Sequence, residues 1–274
     1  MLFATEFAEL EQKALQIRQD IIKMLVSAGS GHSAGPLGLS DIFAALYFKI
    51  LKVDSKKPDW IDRDRLVLSC GHYCPVLYAT LARAGYFPES ELLTLRKFGS
   101  GLQGHPHRES LPGLETTSGP LGSGLSESCG MALAGRMDHK DWRVICIMSD
   151  GEQDEGNTWE GVMFAAKYKL DNLVALIDRN HIQIDGITED IMPIDPLTEK
   201  YKSFGWEVIE IDGHDFNQII DAFEKAKTIK NKPTVIIAKT IPGKGVSFME
   251  GKFEWHGKAP TKEEGEKALH ELKS

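Results

Sequence analysis

Short apolar runs rich in β-branched residues alternate along this chain with segments whose apolar residues recur at helical spacing. Five runs predict strands, at Arg65–Ser69, Arg143–Met148, Leu173–Ile177, Glu207–Ile211 and Thr234–Lys239. Helical spacing also predicts a long first helix that ends near Ala28-Gly29 and a second helix that begins after Ser40. The alternation predicts an α/β fold, a parallel sheet with helices on both faces.

Two of the predicted strands form a β-α-β unit. Arg143–Met148 and Leu173–Ile177 flank the stretch Asn157–Lys169, which has helical spacing. The crossover of such a unit is right-handed and leaves the strands parallel, with both carboxyl ends at one edge. Open parallel sheets bind ligands at that edge. The acidic turn at 149–156 and the turn that carries Asn180 are therefore expected to lie side by side.

Asp150 and Asn180 are the candidate metal ligands of these two turns. A hard cation such as Mg²⁺ takes octahedral oxygen ligands, usually one or two protein side chains together with phosphate oxygens and water. Asp-Gly and Asn after a strand are also common turn residues. These positions alone therefore admit either a metal-bridged diphosphate or ordinary turns.

Composition restricts the class of partner. The formal net charge of −8 argues against a nucleic-acid or anionic-membrane surface, so an anionic ligand needs a local site. No apolar run approaches the roughly 18 residues of a membrane span and no secretory segment stands out, which predicts a soluble, cytoplasmic protein.

No linker or repeat divides residues 1–274, which predicts one domain. Four cysteines lack zinc-ligand and disulfide spacing and are expected to be buried thiols: Cys70, Cys74, Cys129 and Cys146.

Four histidines stand in loops beside Gly or Pro, at positions His32, His72, His105 and His256. Gly beside an imidazole lets backbone and substrate approach closely. One loop histidine is usually a solvated surface residue, but four in this context indicate a site. The segment 30–38 is expected to be a loop leading into the second helix, and it should reach the ligand edge of the sheet together with the turn at 69–72.

The glycine-rich segment 117–126 is expected to open a helix that runs to Met137, with backbone amides turned toward a phosphate or a flat ring. No Gly-Lys-Ser/Thr follows, so it is not a P-loop. Gly119, Gly122 and Gly124 lack the spacing and the preceding strand of a Rossmann fingerprint. A Ser-His-Asp hydrolase is disfavoured because no Gly-x-Ser-x-Gly elbow follows a strand.

Seven segments, taken in order, resemble the amino-terminal half of transketolase. They are SGHSAGPLG (30–38), CGH (70–72), GHPH (104–107), SGPLGSGLS (118–126), SDGEQDEG (149–156), IDRNHIQIDG (177–186) and WHGKAP (255–260). The Asp-Gly and the later Asn resemble the thiamine diphosphate motif of many enzymes, and the histidine loops distinguish transketolase among them. The resemblance covers nearly the whole chain and implies the thiamine diphosphate-binding fold.

The resemblance implies a cofactor with its metal. Three oxygen ligands would hold Mg²⁺ or Ca²⁺ on the diphosphate, those of Asp150, Asn180 and the backbone carbonyl of Ile182. Gly151 would permit close approach of the diphosphate. The remaining contacts would come from His72 near the diphosphate, from Gly119 and Leu121 along the cofactor, and from Glu155 in a carboxylate network that reaches the active site across the subunit interface.

The resemblance also implies a reaction. His32, His105 and His256 would surround the reacting carbons, bind ketose hydroxyls and move protons, for which imidazole is suited at neutral pH. The implied activity transfers a two-carbon ketol unit from a ketose phosphate to an aldose phosphate, as in the pentose phosphate pathway. Thiamine diphosphate would supply the difficult step.

The sequence departs from the family pattern in three respects. The usual Gly-Asp-Gly is Ser149-Asp150-Gly151, and Asp178-Arg179 precedes Asn180 in place of the more familiar neighbours. Full transketolases continue into a pyrimidine-binding domain, which carries the Glu that activates the aminopyrimidine. The chain therefore resembles the amino-terminal subunit of a split transketolase. Such a subunit is expected to assemble with itself and with a carboxy-terminal subunit, forming a heterotetramer.

Three other hypotheses stay open at this point. One is another thiamine diphosphate enzyme, either 1-deoxyxylulose-5-phosphate synthase or the α chain of a 2-oxo acid dehydrogenase. A second is a specialised split transketolase that acts on an unusual ketose. The third is a binding or regulatory protein without turnover, against which the intact Asp150, Asn180 and His256 argue.

Overall fold

A parallel sheet lies at the centre of the computed structural model, which describes residues 4–273. The strands are β1 (Arg65–Leu68), β2 (Val144–Ser149), β3 (Leu173–Arg179), β4 (Ile182–Gln183), β5 (Gly186–Ile187), β6 (Glu207–Asp212) and β7 (Thr234–Lys239). The five longer strands are all parallel, in the order β1-β2-β3-β7-β6. The short strands β4 and β5 pair as an antiparallel hairpin directly after β3.

Helices cover both faces of this sheet. They are α1 (Ala4–Ala28), α2 (Ala34–Gly38), α3 (Ser40–Ala45), α4 (Cys74–Arg83), α5 (Ser123–Met137), α6 (Gly156–Lys167), α7 (Thr188–Ile191), α8 (Leu197–Ser203), α9 (Phe216–Thr228) and α10 (Lys262–Glu271). A π-helical turn, Leu46–Ile50, continues α3. Short 3-10 segments lie at Gly71–Tyr73, Glu89–Thr94, Gly151–Asp154 and Phe253–Trp255.

Successive residues of each central strand feed two separate cores, because side chains alternate between the faces of a sheet. In β3, Val174 and Leu176 pack with α1 to α4, α9 and α10. Leu173, Ala175 and Ile177 pack on the opposite face with α5, α6 and α8. The predicted parallel sheet with helices on both faces is confirmed.

Most predicted elements are present, with shifts at their ends. β3 extends beyond the predicted Ile177 to Arg179, because the buried Asp178 and Arg179 still pair with Ala238 and Lys239 of β7. The first helix ends at Ala28 as predicted. The four cysteines are all free and buried, as predicted.

The segment 30–38 differs from its prediction, because Ala34–Gly38 is a short helix and not a loop. Its two glycines and one proline have low helix propensity, which is why the pattern indicates a loop. All five residues are buried, however, and a Cβ added at Gly35 would lie 2.1 Å from Cζ of Tyr73. Close packing against neighbouring elements therefore outweighs the local propensity.

The carboxyl ends of four neighbouring strands converge on one edge of the sheet. The turns after β1, β2, β3 and β7 carry His72, Asp150, Asn180 and Thr240 respectively. Parallel register pairs Ser149 of β2 with Asp178 of β3, so the two candidate metal ligands lie one and two residues beyond directly paired positions. No helix among residues 4–273 is long and apolar enough to cross a membrane.

Candidate active site

A cavity of about 470 Å³ opens at the carboxyl ends of β2 and β3. Nine residues singled out in the sequence line it: His32, His72, His105, Gly119, Leu121, Asp150, Gly151, Ile182 and His256. Asn180 lies just behind this lining, where its Oδ1 accepts a hydrogen bond from the backbone N–H of Ile182 at 3.0 Å. Glu155 is exposed and lies outside the lining. Segments far apart in the chain are thus brought to one site.

Asp150 presents one oxygen that is saturated with donors and one that is nearly free. Oδ2 accepts hydrogen bonds from Arg179 Nη1 at 3.1 Å, from the His181 N–H at 2.8 Å and from Thr188 Oγ1 at 3.2 Å. Oδ1 accepts one bond, from the adjacent Gly151 N–H. Burial raises the pKa of Asp150 to about 6 although Arg179 opposes the shift. A carboxylate anchored through Oδ2 leaves Oδ1 available to a ligand.

The amide of Asn180 is oriented by two acceptors. Its Nδ2 donates to Asp178 Oδ2 at 2.7 Å and to Tyr73 Oη at 2.9 Å. Asp178 also accepts a hydrogen bond from the Thr240 hydroxyl, and burial raises the pKa of its carboxyl to about 7. Since only the amide nitrogen can donate, these acceptors fix Oδ1 as the oxygen on the side of Ile182.

The oxygens of Asp150, Asn180 and the Ile182 carbonyl suit a hard divalent cation. Carboxylate, amide and carbonyl oxygens are the protein ligands that Mg²⁺ and Ca²⁺ take, with phosphate and water completing the shell. Among residues 4–273 no group of three His, Cys, Asp or Glu side chains could hold a metal. A cation bound here would therefore depend on this mixed set together with oxygens of its ligand.

Three imidazoles form a cluster over the other side of the cavity. The ring centroids of His32 and His72 are 4.8 Å apart, those of His32 and His256 5.5 Å, and those of His72 and His256 5.3 Å. Burial lowers the pKa of His32 and of His256 to about 4, and that of His72 well below its usual value. All three rings are therefore neutral at neutral pH.

Each ring of this cluster holds a buried nitrogen that lacks a partner. In the part of the chain that the structure describes, His32 Nδ1, His72 Nε2 and His256 Nδ1 make no hydrogen bond. An unsatisfied buried polar atom costs about 1–3 kcal/mol, so most such atoms in folded proteins are paired. Three that converge on one cavity indicate a polar ligand that completes them. The donor set and the free nitrogens together fit a metal-bound diphosphate cofactor with a hydroxylated substrate beside it.

The glycine-rich segment lines the cavity together with the turn that carries Asp150. The N–H of Gly122, at φ 81°, donates to the carboxylate of Glu152. A Cβ added at Gly119 would meet no atom within 4 Å, so a ligand can approach this backbone. At Gly151 a Cβ would lie 3.1 Å from Gln183 Cγ, so this turn next to Asp150 favours glycine.

Comparison with known proteins decides the family. A sequence profile described as "Transketolase, thiamine diphosphate binding domain" matches residues 11–272. The chain belongs to the transketolase family. The 6-deoxy-6-sulfo-D-fructose transketolase subunit SqwG of Clostridium sp. (strain MSTE9) is 45% identical over 264 residues, 96% of this chain and 96% of that protein. In Phocaeicola vulgatus, one of the subunits of apulose-4-phosphate transketolase is 42% identical over 96% of this chain and 93% of that protein.

Longer transketolases match the chain over part of their length. Human transketolase is 40% identical over 97% of this chain, and the match covers 42% of the human protein. Among solved structures, transketolase from Campylobacter jejuni matches with a TM-score of 0.91 and 34% identity, over 96% of this chain and 42% of that one. The predicted thiamine diphosphate-binding fold is confirmed by these matches.

Several polar residues that shape this candidate site were not identified from the sequence as site residues. Glu152 is completely buried, and its carboxylate accepts hydrogen bonds from Ser69 and from the Ser149 N–H. Asp178 and Tyr73 orient Asn180. The only signal in the sequence was the position of these residues inside or beside the family motifs, because charge and polarity ordinarily predict exposure.

Arg179, the residue before Asn180, is buried beside the candidate metal ligand Asp150. Its guanidinium contacts Asp150, Asp195 at 3.0 Å and Glu189. It therefore ties the end of β3 to the segment that follows the β4–β5 hairpin. One cation shared by three carboxylates balances part of the charge beside the candidate metal ligand.

Acidification is expected to destabilise the chain through His32 and His256. Their pKa of about 4 lies below the ordinary 6.5, so the unfolded chain binds more protons between these values. The contribution of these two neutral histidines to the free energy of unfolding is therefore fully present above about pH 6.5, and it decreases as the pH drops toward 4. Between about pH 7.5 and about pH 5 the free energy of unfolding should fall by about 1–2 kcal/mol for each histidine, and urea unfolding at the two pH values would measure this fall.

A comparison of variants isolates this effect. Burial raises the pKa of Asp150 and Asp178, so these carboxyls stabilise the folded chain as the pH falls and mask part of the loss. The double variant His32→Asn, His256→Asn should lose less stability on acidification than the unsubstituted chain. Replacement of the exposed His139 by Asn is the control, and it should leave the pH dependence of the free energy of unfolding unchanged. An unaltered pH dependence in the double variant would contradict the assignment of lowered pKa values to His32 and His256.

Proposed function

We propose that this chain is the thiamine diphosphate-binding subunit of a two-subunit transketolase. It would transfer a two-carbon ketol unit from a ketose phosphate to an aldose phosphate. The main support is the cluster of neutral imidazoles with unpartnered nitrogens, which faces the same cavity as Asp150. Family membership supports the class of reaction, since the profile that matches the chain describes thiamine diphosphate binding.

The proposed cofactor site uses the oxygens at the two turns. Asp150, Asn180 and the Ile182 carbonyl would hold Mg²⁺ or Ca²⁺, and His72 would lie near the diphosphate. Gly119 and Leu121 would contact the cofactor across the cavity. Bound thiamine diphosphate supplies a nucleophilic carbon that takes up and releases the ketol unit. The chain orients this group and excludes water from it.

The proposed roles of His32, His105 and His256 are hydrogen bonding and proton transfer. At a pKa of about 4, His32 and His256 are weak bases that pass a proton on and do not retain it. Each neutral ring has one nitrogen that donates and one that accepts, so it can either donate a hydrogen bond to a substrate hydroxyl or accept one from it. His105 is exposed at the mouth of the cavity, where it would meet the substrate first.

The names of two relatives suggest a second class of donor ketose. These relatives are named for 6-deoxy-6-sulfo-D-fructose and for apulose-4-phosphate. A specialised anionic ketose, outside the pentose phosphate pathway, is therefore the second candidate donor. A 1-deoxyxylulose-5-phosphate synthase or 2-oxo acid dehydrogenase activity would instead require a 2-oxo acid such as pyruvate, which a substrate screen distinguishes.

The proposed partner is a second subunit that carries the pyrimidine-binding domain. Two relatives matched over nearly their full length are named as transketolase subunits, whereas human transketolase is matched over 42% of its length. Glu155 is exposed next to the metal turn, where a carboxylate network across an interface would need it. We further propose that residues 1–274 act as one diphosphate-binding domain in a cytoplasmic assembly that includes a second copy of the chain.

Replacement of either metal ligand should remove cofactor binding. Asp150→Ala and Asn180→Ala are expected to weaken Mg²⁺-dependent thiamine diphosphate binding by about 100-fold or more, because each removes an oxygen ligand at a strand end. Calorimetry on the reconstituted enzyme measures the affinity, and circular dichroism checks the fold. The exposed Asp154, replaced by Ala, is the matched control within the same acidic turn. Unchanged affinity for thiamine diphosphate in Asp150→Ala would contradict the assignment of Asp150 as a metal ligand.

Replacement of the histidines should affect turnover and spare cofactor affinity. His32→Ala and His256→Ala are expected to lower turnover by about 100-fold or more, the scale of losing a positioned proton-transfer group. Steady-state ketol transfer at saturating cofactor measures this, with His139→Ala as the surface control. If both variants lost cofactor affinity and kept their turnover, His32 and His256 would contact the cofactor and would not transfer protons.

Activity should depend on a partner. The purified chain by itself is expected to be inactive, and ketol transfer should appear when its complementary partner is added, because the pyrimidine-activating Glu of the family lies in another domain. Titration of one chain with the other, followed by a coupled aldose assay, measures the stoichiometry. Turnover by the purified chain without its partner at rates typical of enzymes, about 1 to 1,000 per second, would refute the two-subunit proposal.

A further inference from the structure

The two oxygens of the Asp150 carboxylate lie in different surroundings. Oδ2 accepts hydrogen bonds from the Arg179 guanidinium, from the His181 N–H and from the Thr188 hydroxyl, at 3.1, 2.8 and 3.2 Å. A carboxylate has about four lone-pair sites on its two oxygens, so three donors fill Oδ2. Oδ1 accepts a bond from the Gly151 N–H at 2.8 Å and keeps room for a ligand. Asp150 can therefore offer a cation one oxygen and not two.

Arg179 is the charged donor among these three, and its position is fixed on all sides. The exposed fraction of its side chain is 4%, and that of Asp150 is 1%. Its second terminal nitrogen, Nη2, contacts Asp195 at 3.0 Å and also contacts Glu189. Its backbone pairs with Lys239 of β7. A planar guanidinium held at both terminal nitrogens cannot turn away from Oδ2 without breaking ion pairs.

The other two candidate ligands also offer single oxygens in fixed directions. The Asn180 amide is held by the bonds from its Nδ2 to Asp178 and Tyr73, which leaves Oδ1 as its ligand atom. Ile182 offers its backbone carbonyl. The protein thus supplies three oxygens, and a diphosphate and water would supply the rest of the coordination shell.

This arrangement suits one of the two candidate cations better than the other. Mg²⁺ takes six oxygens in near-ideal octahedral geometry at about 2.0–2.1 Å. Ca²⁺ takes six to eight oxygens at about 2.3–2.6 Å and commonly binds both oxygens of one carboxylate. A cation in contact with both oxygens of Asp150 would also lie beside the positive charge of Arg179. Occupation of Oδ2 by Arg179 therefore removes a ligand that Ca²⁺ uses and Mg²⁺ does not need.

We propose that Arg179 is a positioning residue that makes this site selective for Mg²⁺ over Ca²⁺. It withholds Oδ2 of Asp150 from the metal, so that the carboxylate binds through Oδ1 alone. The proposal rests on the proposed function, which names both cations as ligands of Asp150. The contacts of Arg179 are with carboxylates, so it acts on the cation through Asp150.

The test compares the two cations in one binding experiment. Thiamine diphosphate is titrated into the reconstituted enzyme by calorimetry, once with Mg²⁺ and once with Ca²⁺, and the ratio of the two dissociation constants is measured. Arg179→Gln should reduce the preference for Mg²⁺ by about 10-fold or more, the scale of losing a partner of a metal ligand. Both cations carry the same charge, so the lost repulsion from the guanidinium changes both affinities nearly alike and cancels in the ratio.

Two further variants separate position from charge. Lys239→Gln removes the same charge from the exposed residue that pairs with Arg179 across the sheet, and it should leave the ratio unchanged. Arg179→Lys keeps the charge but loses the planar pair of donors, so its ratio should lie between those of the unsubstituted enzyme and Arg179→Gln. Circular dichroism and urea unfolding of each variant without cofactor check the fold. Should Arg179→Gln not fold, an unchanged ratio in Arg179→Lys would overturn the proposal.

Inorganic pyrophosphate provides a readout that is independent of the thiamine. It supplies diphosphate oxygens to the cation, and the same Mg²⁺ and Ca²⁺ comparison is made with it. Arg179→Gln should lower the preference for Mg²⁺ with this probe as it does with thiamine diphosphate.

Two outcomes would overturn the role of Arg179. Equal changes of the Mg²⁺- and Ca²⁺-dependent affinities in Arg179→Gln would reduce Arg179 to a general structural contact. A preference of the unsubstituted enzyme for Ca²⁺ would contradict the selectivity itself. Failure of the proposed function is distinct from both, because ketol transfer would be absent while the titrations still gave a ratio. Absence of binding with either cation and either probe would overturn both proposals.

Discussion

The buried carboxylate of Glu152 holds together the edge of the sheet on which the candidate site is built. It accepts hydrogen bonds from Ser69 at the end of β1, from the Gly122 N–H of the glycine-rich segment and from the Ser149 N–H at the end of β2. Burial raises the pKa of this carboxyl, and the three donors oppose the shift. A carboxylate without these donors would be costly to bury. The three elements can therefore meet only in the arrangement that satisfies it, and this arrangement places Asp150 beside the glycine-rich segment.

Desolvation determines the chemistry of the groups around the first cavity. It keeps the imidazoles of His32, His72 and His256 neutral, and it raises the pKa of the carboxyls of Asp150 and Asp178. Neutral ring nitrogens, which can donate and accept hydrogen bonds, therefore lie beside carboxylate and amide oxygens that suit a cation. A metal-bound diphosphate and a hydroxylated sugar are the kind of ligand that such an environment can complete.

Pattern and motif in the sequence determined the parallel sheet, the β-α-β crossover and the edge at which Asp150 and Asn180 meet, because these follow from short-range periodicity and the handedness of the chain. They also identified the four histidine loops. Only the tertiary structure decided the helix at Ala34–Gly38 and the burial of Glu152 and Asp178. The physical reason is that a polar residue is exposed by default. Its burial depends on donors supplied by segments far away in the chain, and local sequence does not encode those partners.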